Sequence, residues 1–580
     1  MGIKQMKITK TNFILLMIFL LAFVLRIIAA YHTDVGTDEM IYSIIPLNII
    51  SAQRLGTIEQ SPLFFYLTDL GYMISGGITS VSVRLTAIVF GSLAVLVVYL
   101  LSKELFSSTK AALMSSFLFA VSGYALTYNT EMDMAAYFFA LLSSFFFIRA
   151  LKGSHHNYYS TALFLSLAIL MKNIVILFAL AFFVVWLLHE YKKKSFLKVS
   201  DEKKVSIDKK MAKIILVSVF LIALLLSPVL IYNYFTYKET GITDYYFSVV
   251  LGIGETAHQG MEAKPWTFTR LGEISRGLAG KFLALDGVLF VTGMLGFFLL
   301  FRKHKYEAWT LLLPLIFIYL YVAGQTGSSS HYGLVPLVLS IFAGPALEIL
   351  AEKVRQQFSF KYFSNIVIIF VLIMAVMAVQ NIIQERDLSI TLSLRDYVHE
   401  NIPEDAVVVI DPRIYRGIHA WVFNDKHYVD GMQFAEITNN LEKIPGEAKT
   451  VPLYYIECDK GSNCGWKPED FQRIYNTGEE ISAYFRENTQ KIHAIQATHN
   501  FNIYQGSLTV PTGVYDIIDQ THVFWFYPVG WKYPEKAVDT YTPQGFGTVL
   551  NGFGFLMMYL DVLFAILAIP FVFYVALKKG

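Results

Sequence analysis

Runs of about twenty apolar residues recur along most of the 580-residue chain. A run of that length is what a helix needs to cross the hydrocarbon core of a bilayer. Charged residues make up only 16% of the chain and hydrophobic residues 55%, whereas soluble domains carry about 25% charged residues. The chain is therefore predicted to be an α-helical polytopic membrane protein, which excludes the soluble, disordered and small secreted classes. About twelve spans are predicted, at 12–30, 81–101, 111–128, 134–151, 157–189 (two spans), 213–233, 283–301, 306–323, 331–350, 363–383 and 549–577.

The stretch 157–189 is too long for one ordinary span and has a single lysine, Lys172, at its centre. Basic residues precede it at Arg149 and follow it at 192–194, and the positive-inside rule places both flanks in the cytoplasm. The chain is therefore expected to cross twice and to turn at Lys172–Asn173 on the outer side.

The same rule places both termini in the cytoplasm. The first apolar run follows three lysines, and it is long and lacks a small-residue cleavage site before Tyr31. We therefore interpret it as a retained signal anchor rather than a removed signal peptide. The protein is expected in the cell membrane, with multiple passes.

Two polar regions are predicted to lie outside. The first is the loop 31–80, within a transmembrane module of residues 1–383. The second, 384–545, has soluble composition and strand-like runs at 406–410 and 451–456, which predicts an extracytoplasmic α/β domain. A last transmembrane helix is expected in 546–580.

The two cysteines of the chain, Cys458 and Cys464, both lie in this outer region. An oxidising compartment favours a disulfide between them. The alternative is a pair of free thiols. With so few cysteines and no Cys-x-x-Cys pair, a structural zinc site is not indicated.

Ionisable residues gather at the outer ends of the predicted spans rather than at their centres. Transporters place such groups near the midplane, so this distribution favours a site at the outer leaflet. The alternative is that helix ends tolerate charge simply because they are wet. The residues concerned are Asp34, Asp38, Glu39, Glu131, Asp133, Lys172, Arg270, Arg276 and His331.

Several segments, in order along roughly the first 345 residues, resemble the GT-C fold glycosyltransferases, above all protein O-mannosyltransferases and lipid A aminoarabinose transferases. Gly36–Tyr42 contains an Asp-Glu pair similar to that family's first outer-loop motif. Gln60–Tyr66 is similar to its Pro-Pro-Leu-Tyr-Tyr segment, and Ile169–Asn173 to its Leu-x-Lys-Gly turn. The remaining matches are Val83–Leu85, Tyr128–Asp133 and Ser330–Pro336.

This resemblance implies an enzyme that takes one sugar from a polyprenyl phosphate, dolichyl or undecaprenyl. The sugar passes to an extracytoplasmic protein, lipid or glycan acceptor, with inversion. It implies Asp38 as the general base that removes the acceptor's proton, with Glu39 beside it. Asp133, or Glu131, would orient the acceptor or the base. The alternative for Asp38 and Glu39 is that they cap a helix.

Cations and hydroxyl groups would stabilise the leaving phosphate. The resemblance places Lys172, Arg270, His331, Tyr332 and Tyr42 in that role. The alternative for Lys172 is that its side chain snorkels to the membrane interface. The alternative for the two tyrosines is that they belong to the aromatic belt of the membrane. Arg276 is the alternative to Arg270 as the phosphate-binding arginine.

The sequence departs from the family pattern at three positions. Ile41 replaces the arginine of the aminoarabinose transferases, Asn173 replaces the common glycine, and His331 replaces an arginine or lysine. The Trp-Trp-Asp motif of oligosaccharyltransferases is absent, which argues against transfer of whole oligosaccharides.

No cofactor is expected to be required. A divalent Mg²⁺ or Mn²⁺ held by Asp38 and Asp133 is the alternative, because such ions prefer carboxylates, but no metal-ligand spacing supports it. The net charge of +2 gives no indication of nucleic-acid binding. Two other functions compete with the enzyme. One is a transporter or lipid flippase with an outer ligand-binding domain, and the other is a non-catalytic receptor.

Overall fold

The computed structural model describes most of the chain. The described residues are 9–33, 35, 37–43, 45–46, 49, 54–57, 60–128, 132–193, 197–199, 205–207, 209–244, 246–254, 267–301, 305–324, 330–358, 362–388, 390–414, 416–459, 464, 472–496, 500–524 and 541–579.

The membrane module is built from helices, as predicted. Among the described residues, nine helices are long and apolar enough to cross a bilayer, or ten if α10 and α11, bent by 53°, form one span. Two further predicted spans are shorter helices, α5 and α8. The helices are α1 (Lys10–His32), α2 (Thr37–Tyr42), α3 (Leu63–Ser75), α4 (Ser80–Phe106), α5 (Thr109–Ala120), α6 (Gly123–Tyr128), α7 (Met132–Leu151), α8 (Asn157–Met171), α9 (Ile176–Lys193), α10 (Lys209–Leu225), α11 (Ser227–Thr240), α12 (Phe268–Phe301), α13 (Lys305–Gly324), α14 (Leu334–Phe358), α15 (Phe363–Leu388) and α21 (Phe546–Lys579).

Helices α4 and α7 form the centre of the bundle. In the apolar 18-residue stretch of each helix, 89% of the residues of α4 and 94% of those of α7 are buried. The corresponding fractions are 22% for α15 and 28% for α21. The helices at the periphery of the bundle expose many large apolar side chains, as expected of surfaces that face lipid.

The predicted break at Lys172 is confirmed. Helix α8 ends at Met171, Lys172 is extended (φ −154°, ψ 123°), and a 3₁₀ turn at Asn173–Val175 leads into α9. That both arms cross the membrane stays a prediction, because α8 is short.

The predicted span 111–128 is interrupted at Val121–Ser122. Asp286 seals the interruption: its carboxylate accepts from Ser122 Oγ at 2.6 Å, Gly123 N at 2.8 Å and Tyr124 N at 3.0 Å. Helix α12 itself leaves helical geometry at Asp286 (φ −139°, ψ 37°). In a bilayer the freed backbone N–H groups have no water to bond, so a side chain must satisfy them.

The region 384–545 contains a small α/β unit, as predicted. Its five strands run in the order β4-β3-β5-β7-β6; β3 is parallel to β4 and β5, and β7 is antiparallel to β5 and β6. The predicted runs 406–410 and 451–456 correspond to β3 and part of β5. The elements are α16 (Ile390–Asn401), β3 (Val407–Ile410), α17 (Arg416–Phe423), β4 (His427–Asp430), α18 (Gly431–Thr438), β5 (Ala448–Cys458), α19 (Gln472–Asn488), β6 (Gln490–Ile495), β7 (Phe501–Pro511) and α20 (Val514–Phe524).

Two smaller features are a strand pair and a disulfide. A short antiparallel pair, β1 (Leu197–Val199) and β2 (Val205–Ile207), lies in the lysine-rich loop after α9. In the α/β unit, Cys458 and Cys464 are joined by a disulfide. The elements β3 to α20 fall inside the predicted domain 384–545, whose exact bounds stay a prediction.

Candidate active site

The centre of the candidate site is a buried ion pair between Asp133 and Lys172. Asp133 lies in the first turn of α7, where it is fully buried, and Lys172 is 3% exposed. Lys172 Nζ donates to Asp133 Oδ2 at 2.5 Å. Burying either charge alone would cost several kcal/mol. Each residue therefore offsets the cost of burying the other's charge.

His331 joins this pair from a third part of the chain. Its Nδ1 lies 3.2 Å from Lys172 Nζ and 3.4 Å from Asp133 Oδ2. Tyr137, one turn after Asp133 on α7, donates to the backbone oxygen of His331 at 2.7 Å. Three predicted site residues, distant in sequence, are therefore brought together.

Four buried side-chain atoms around this cluster have no hydrogen-bond partner among the described residues. They belong to Asp133 (Oδ1), Tyr332 (Oη), Asn173 (Nδ2) and Gln60 (Oε1). Buried polar atoms in folded proteins are nearly always bonded. These four atoms therefore have hydrogen-bonding capacity left for a bound molecule.

Tyr332 links the cluster to Arg270. The Tyr332 ring lies 6.0 Å from that of Tyr319, whose hydroxyl contacts Ser275 Oγ at 2.6 Å and donates to Leu271 O at 3.0 Å. Burial raises the pKa of the Tyr332 hydroxyl, Tyr319 adds to that rise, and the positive charge of Arg270 opposes it. This proximity favours Arg270 over Arg276, which is exposed.

Glu39 is held by a second buried ion pair. Arg84 of α4 donates from Nε to Oε1 at 2.8 Å and from Nη2 to Oε2 at 2.6 Å, which is the bidentate arrangement. Its Nη1 also donates to the backbone oxygens of Ala30 and Thr33. Because both Glu39 oxygens are engaged, these contacts anchor α2 to α1 and α4.

Asp38 lies in the same short helix, α2, directly before Glu39. The side chain of Asp38 and the whole of Glu131 and Asp34 lie outside the described residues. Their predicted roles therefore stay predictions.

Tyr42 is connected to the cluster through helix α3. Its ring lies 5.7 Å from that of Phe65. Just before α3, Ser61 Oγ donates to Ile169 O at 2.7 Å and contacts Asn173 Oδ1, beside Lys172. The segment carrying Asp38 and the break carrying Lys172 are thus joined through α3.

The sequence reasoning missed two buried arginines. The sequence places Arg84 in the matching segment Val83–Leu85 without predicting a role for it, and it predicts none for Arg26 of α1. Arg26 is 5% exposed, donates to Ala22 O at 3.2 Å and lies 5.1 Å from the Phe119 ring centroid. The signal was available, since an arginine within a predicted span is itself a reason to look for a partner.

Within the described residues, no group of three or more His, Cys, Asp or Glu side chains is placed to hold a metal ion. The Asp38 carboxylate is not among those residues. The expectation that no metal is required therefore stays a prediction.

Comparison with known proteins gives one family match. Residues 59–232 match the model of the family described as dolichyl-phosphate-mannose-protein mannosyltransferase. That range includes Asp133 and Lys172. No curated protein matches the sequence.

Solved structures of two other proteins match this chain, and those of the first have the higher TM-scores. The first is ArnT from Cupriavidus metallidurans in the apo state, with a TM-score of 0.54 and 12% identity, covering 84% of this chain and 97% of that one. The same protein bound to undecaprenyl phosphate gives 0.55 and 12%, covering 86% and 98%. The archaeal oligosaccharyltransferase AglB from Archaeoglobus fulgidus, in complex with an inhibitory peptide and a dolichol-phosphate, gives 0.46 and 15%, covering 88% and 77%.

The chain therefore has the GT-C fold, that of a helical membrane module with an attached α/β domain. The predicted resemblance to the mannosyltransferase and aminoarabinose transferase superfamily is confirmed. Fold and family match together support a glycosyltransferase of the GT-C type.

Proposed function

We propose that this protein is an integral membrane glycosyltransferase that moves one sugar from a polyprenyl phosphate to an extracytoplasmic acceptor, with inversion. The observation that carries the proposal is the buried cluster of Lys172, Asp133 and His331. The family match, whose description names dolichyl phosphate mannose, supports it. So does the ArnT structure with undecaprenyl phosphate.

The donor phosphate would bind at Lys172. A lysine ammonium has three N–H donors. Asp133 takes one and His331 Nδ1 lies within reach of a second, so one remains for a phosphate oxygen. As the bond from phosphate to sugar breaks, negative charge grows on that oxygen, and a fixed cation stabilises it. Arg270, Tyr332 and Tyr42 would complete the phosphate site.

The acceptor would react near Asp38. The hydroxyl oxygen of the acceptor attacks the anomeric carbon of the sugar, and the proton of that hydroxyl passes to the Asp38 carboxylate. At the same time the bond between the anomeric carbon and the phosphate oxygen breaks. The polyprenyl phosphate leaves with the bonding electrons. A positioned base contributes about 10²–10⁴-fold to such a step. With both Glu39 oxygens on Arg84, the contacts favour a positioning role for Glu39.

Asp133 has one oxygen on Lys172 and the other, Oδ1, without a partner among the described residues. That second oxygen can accept a hydrogen bond from a hydroxyl group of the donor sugar or the acceptor. Asp133 would therefore link the position of Lys172 to that of the substrates.

The test is transfer by purified protein from radiolabelled dolichyl and undecaprenyl phosphate sugars to candidate acceptors. Asp38→Asn should slow transfer by about 10²–10⁴-fold, whereas the matched variant Asp69→Asn, which changes a half-buried acid on α3, should transfer like wild type. Equal transfer by wild type and Asp38→Asn would refute the assignment of the base. No transfer by wild type from any lipid donor would refute the function.

One observation favours the alternative of a transporter or lipid flippase. Asp561, in the middle of α21, is fully buried and neither of its oxygens has a partner among the described residues. Ionisable groups deep in membrane helices often mark transport pathways. Lipid scrambling in proteoliposomes that is lost in Asp561→Asn, with no sugar transfer, would support this alternative.

A further inference from the structure

The outer α/β domain and the membrane module share one apolar core. Residues from the module, Val35, Met40, Tyr72 and Val83, pack in the same cluster as the domain's Trp421. Met40 lies in α2, two residues after Asp38. One face of the helix that carries Asp38 is therefore covered by the outer domain.

Arg395 of α16 joins the domain to the module by hydrogen bonds. Its Nη2 donates to the backbone oxygen of Ile78 at 2.6 Å and its Nη1 to that of Trp421 at 3.1 Å. Its guanidinium lies 4.2 Å from the Trp421 ring centroid. Asn424 Nδ2 donates to the same Ile78 oxygen at 3.3 Å. The loop before α4 is thus held from the domain side.

These contacts hold α2 from two sides. Ile78 precedes Thr79, the N-cap of α4, and α4 carries Arg84, which holds Glu39 of α2. On the other side, α17, which contains the fully buried Trp421, packs against α2. Helix α2 is therefore held by the membrane helices through Arg84 and by the outer domain through α17.

We propose that the outer domain positions the catalytic helix α2, with Arg395 as the positioning residue. This rests on the proposed function, in which Asp38 is the base. Displacement of a reacting group by about 1 Å costs roughly 10²-fold in rate. Loss of the contacts to Ile78 and Trp421 would therefore slow transfer without touching the donor site at Lys172.

The test compares Arg395→Ala with Arg395→Lys and with Arg486→Ala in the full-length protein. Arg486 is a matched control, because its ion-pair partners among the described residues, Glu457 and Glu479, belong to the same domain and its side chain is 43% exposed. Amide hydrogen exchange of the peptide 37–43 and the kcat and KM for the lipid donor are measured.

Arg395→Ala should speed exchange of 37–43 by at least about tenfold and lower kcat by roughly 10–100-fold, with the donor KM within about twofold. Arg395→Lys should recover part of kcat, and Arg486→Ala should match wild type in both readouts. Unchanged exchange at 37–43 in Arg395→Ala would overturn the proposal.

Two further outcomes remain decisive. If Arg395→Ala does not fold, Asn424→Ala is measured instead: faster exchange at 37–43 supports the proposal, and wild-type exchange contradicts it. If the wild type transfers no sugar, the proposed function fails. The exchange experiment then still decides whether the outer domain holds α2.

Discussion

Lys172 Nζ lies 2.5 Å from Asp133 Oδ2, although the two residues are 39 positions apart. The pair forms because α8 stops at Met171 and the extended Lys172 reaches the first turn of α7. A break between two successive helices therefore brings a cation to a buried acid.

Lys172→Met is expected to lower the free energy of unfolding by about 3–5 kcal/mol, because it leaves Asp133 as a buried charge without its lysine. Adding Asp133→Leu should recover most of that stability, since replacing both charges by apolar groups is often neutral. Transfer should stay absent in both proteins. Thermal unfolding in detergent and the transfer assay check this; a double variant no more stable than Lys172→Met would contradict the pairing.

The adjacent acids Asp38 and Glu39 should separate in their effects. Glu39→Leu is expected to cost about 3–5 kcal/mol of stability, because Arg84 loses its buried partner. Asp38→Asn should leave unfolding unchanged and slow transfer by about 10²–10⁴-fold. Denaturation curves and kcat are the measurements. Wild-type stability of Glu39→Leu would show that the ion pair does not anchor α2.

His331→Phe is expected to weaken donor binding, because it removes the second polar group beside Lys172. His331→Lys should bind the donor at least as tightly as wild type, since a cation at that position attracts phosphate. The readout is the donor KM, with Tyr319→Phe as a nearby control that keeps an aromatic ring. A KM for His331→Phe equal to that of wild type would remove His331 from the donor site.

Replacing both Cys458 and Cys464 by serine should lower the unfolding free energy by about 2 kcal/mol, the chain-entropy value for so short a loop. The native protein should not react with a maleimide until it is reduced, because its two cysteines are joined. Mass spectrometry before and after reduction checks this. Alkylation of the unreduced native protein would contradict the disulfide.

The orientation of the chain is tested by single cysteines at exposed positions. Ser75→Cys, at the end of α3, should react with a membrane-impermeant maleimide added to intact cells. Ser154→Cys, between α7 and α8, should react only after permeabilisation. The reverse pattern would place the active site in the cytoplasm. Lys172 is unsuitable for such labelling because it is buried.

Much of the fold was predictable because hydrophobic runs mark membrane helices and basic loops mark their orientation, and both signals lie within short stretches of sequence. The break at Lys172 follows from charge on both flanks, and strands β3 and β5 from their own residues. The meeting of Asp133, Lys172 and His331 was predicted only as proximity at one face, since topology places helix ends together without setting which atoms touch.

The Arg84–Glu39 pair was not predictable at that level. No local sequence signal indicates that Arg84, in a membrane helix, bonds Glu39, the residue after the expected base. The contact depends on how α4 packs against α1 and α2. The interruption at Val121–Ser122 was missed for the same reason: its partner, Asp286, is more than 160 positions away.

The carboxylate of Asp286 has a consequence for how this bundle tolerates an unwound segment. Three donors, from Ser122, Gly123 and Tyr124, converge on one acid supplied by another helix. The donors freed at the interruption are therefore satisfied by a side chain of the bundle itself. Helix α6, which leads toward Asp133, starts from a point fixed by α12, so a shift of either helix along the membrane normal would be transmitted to the other.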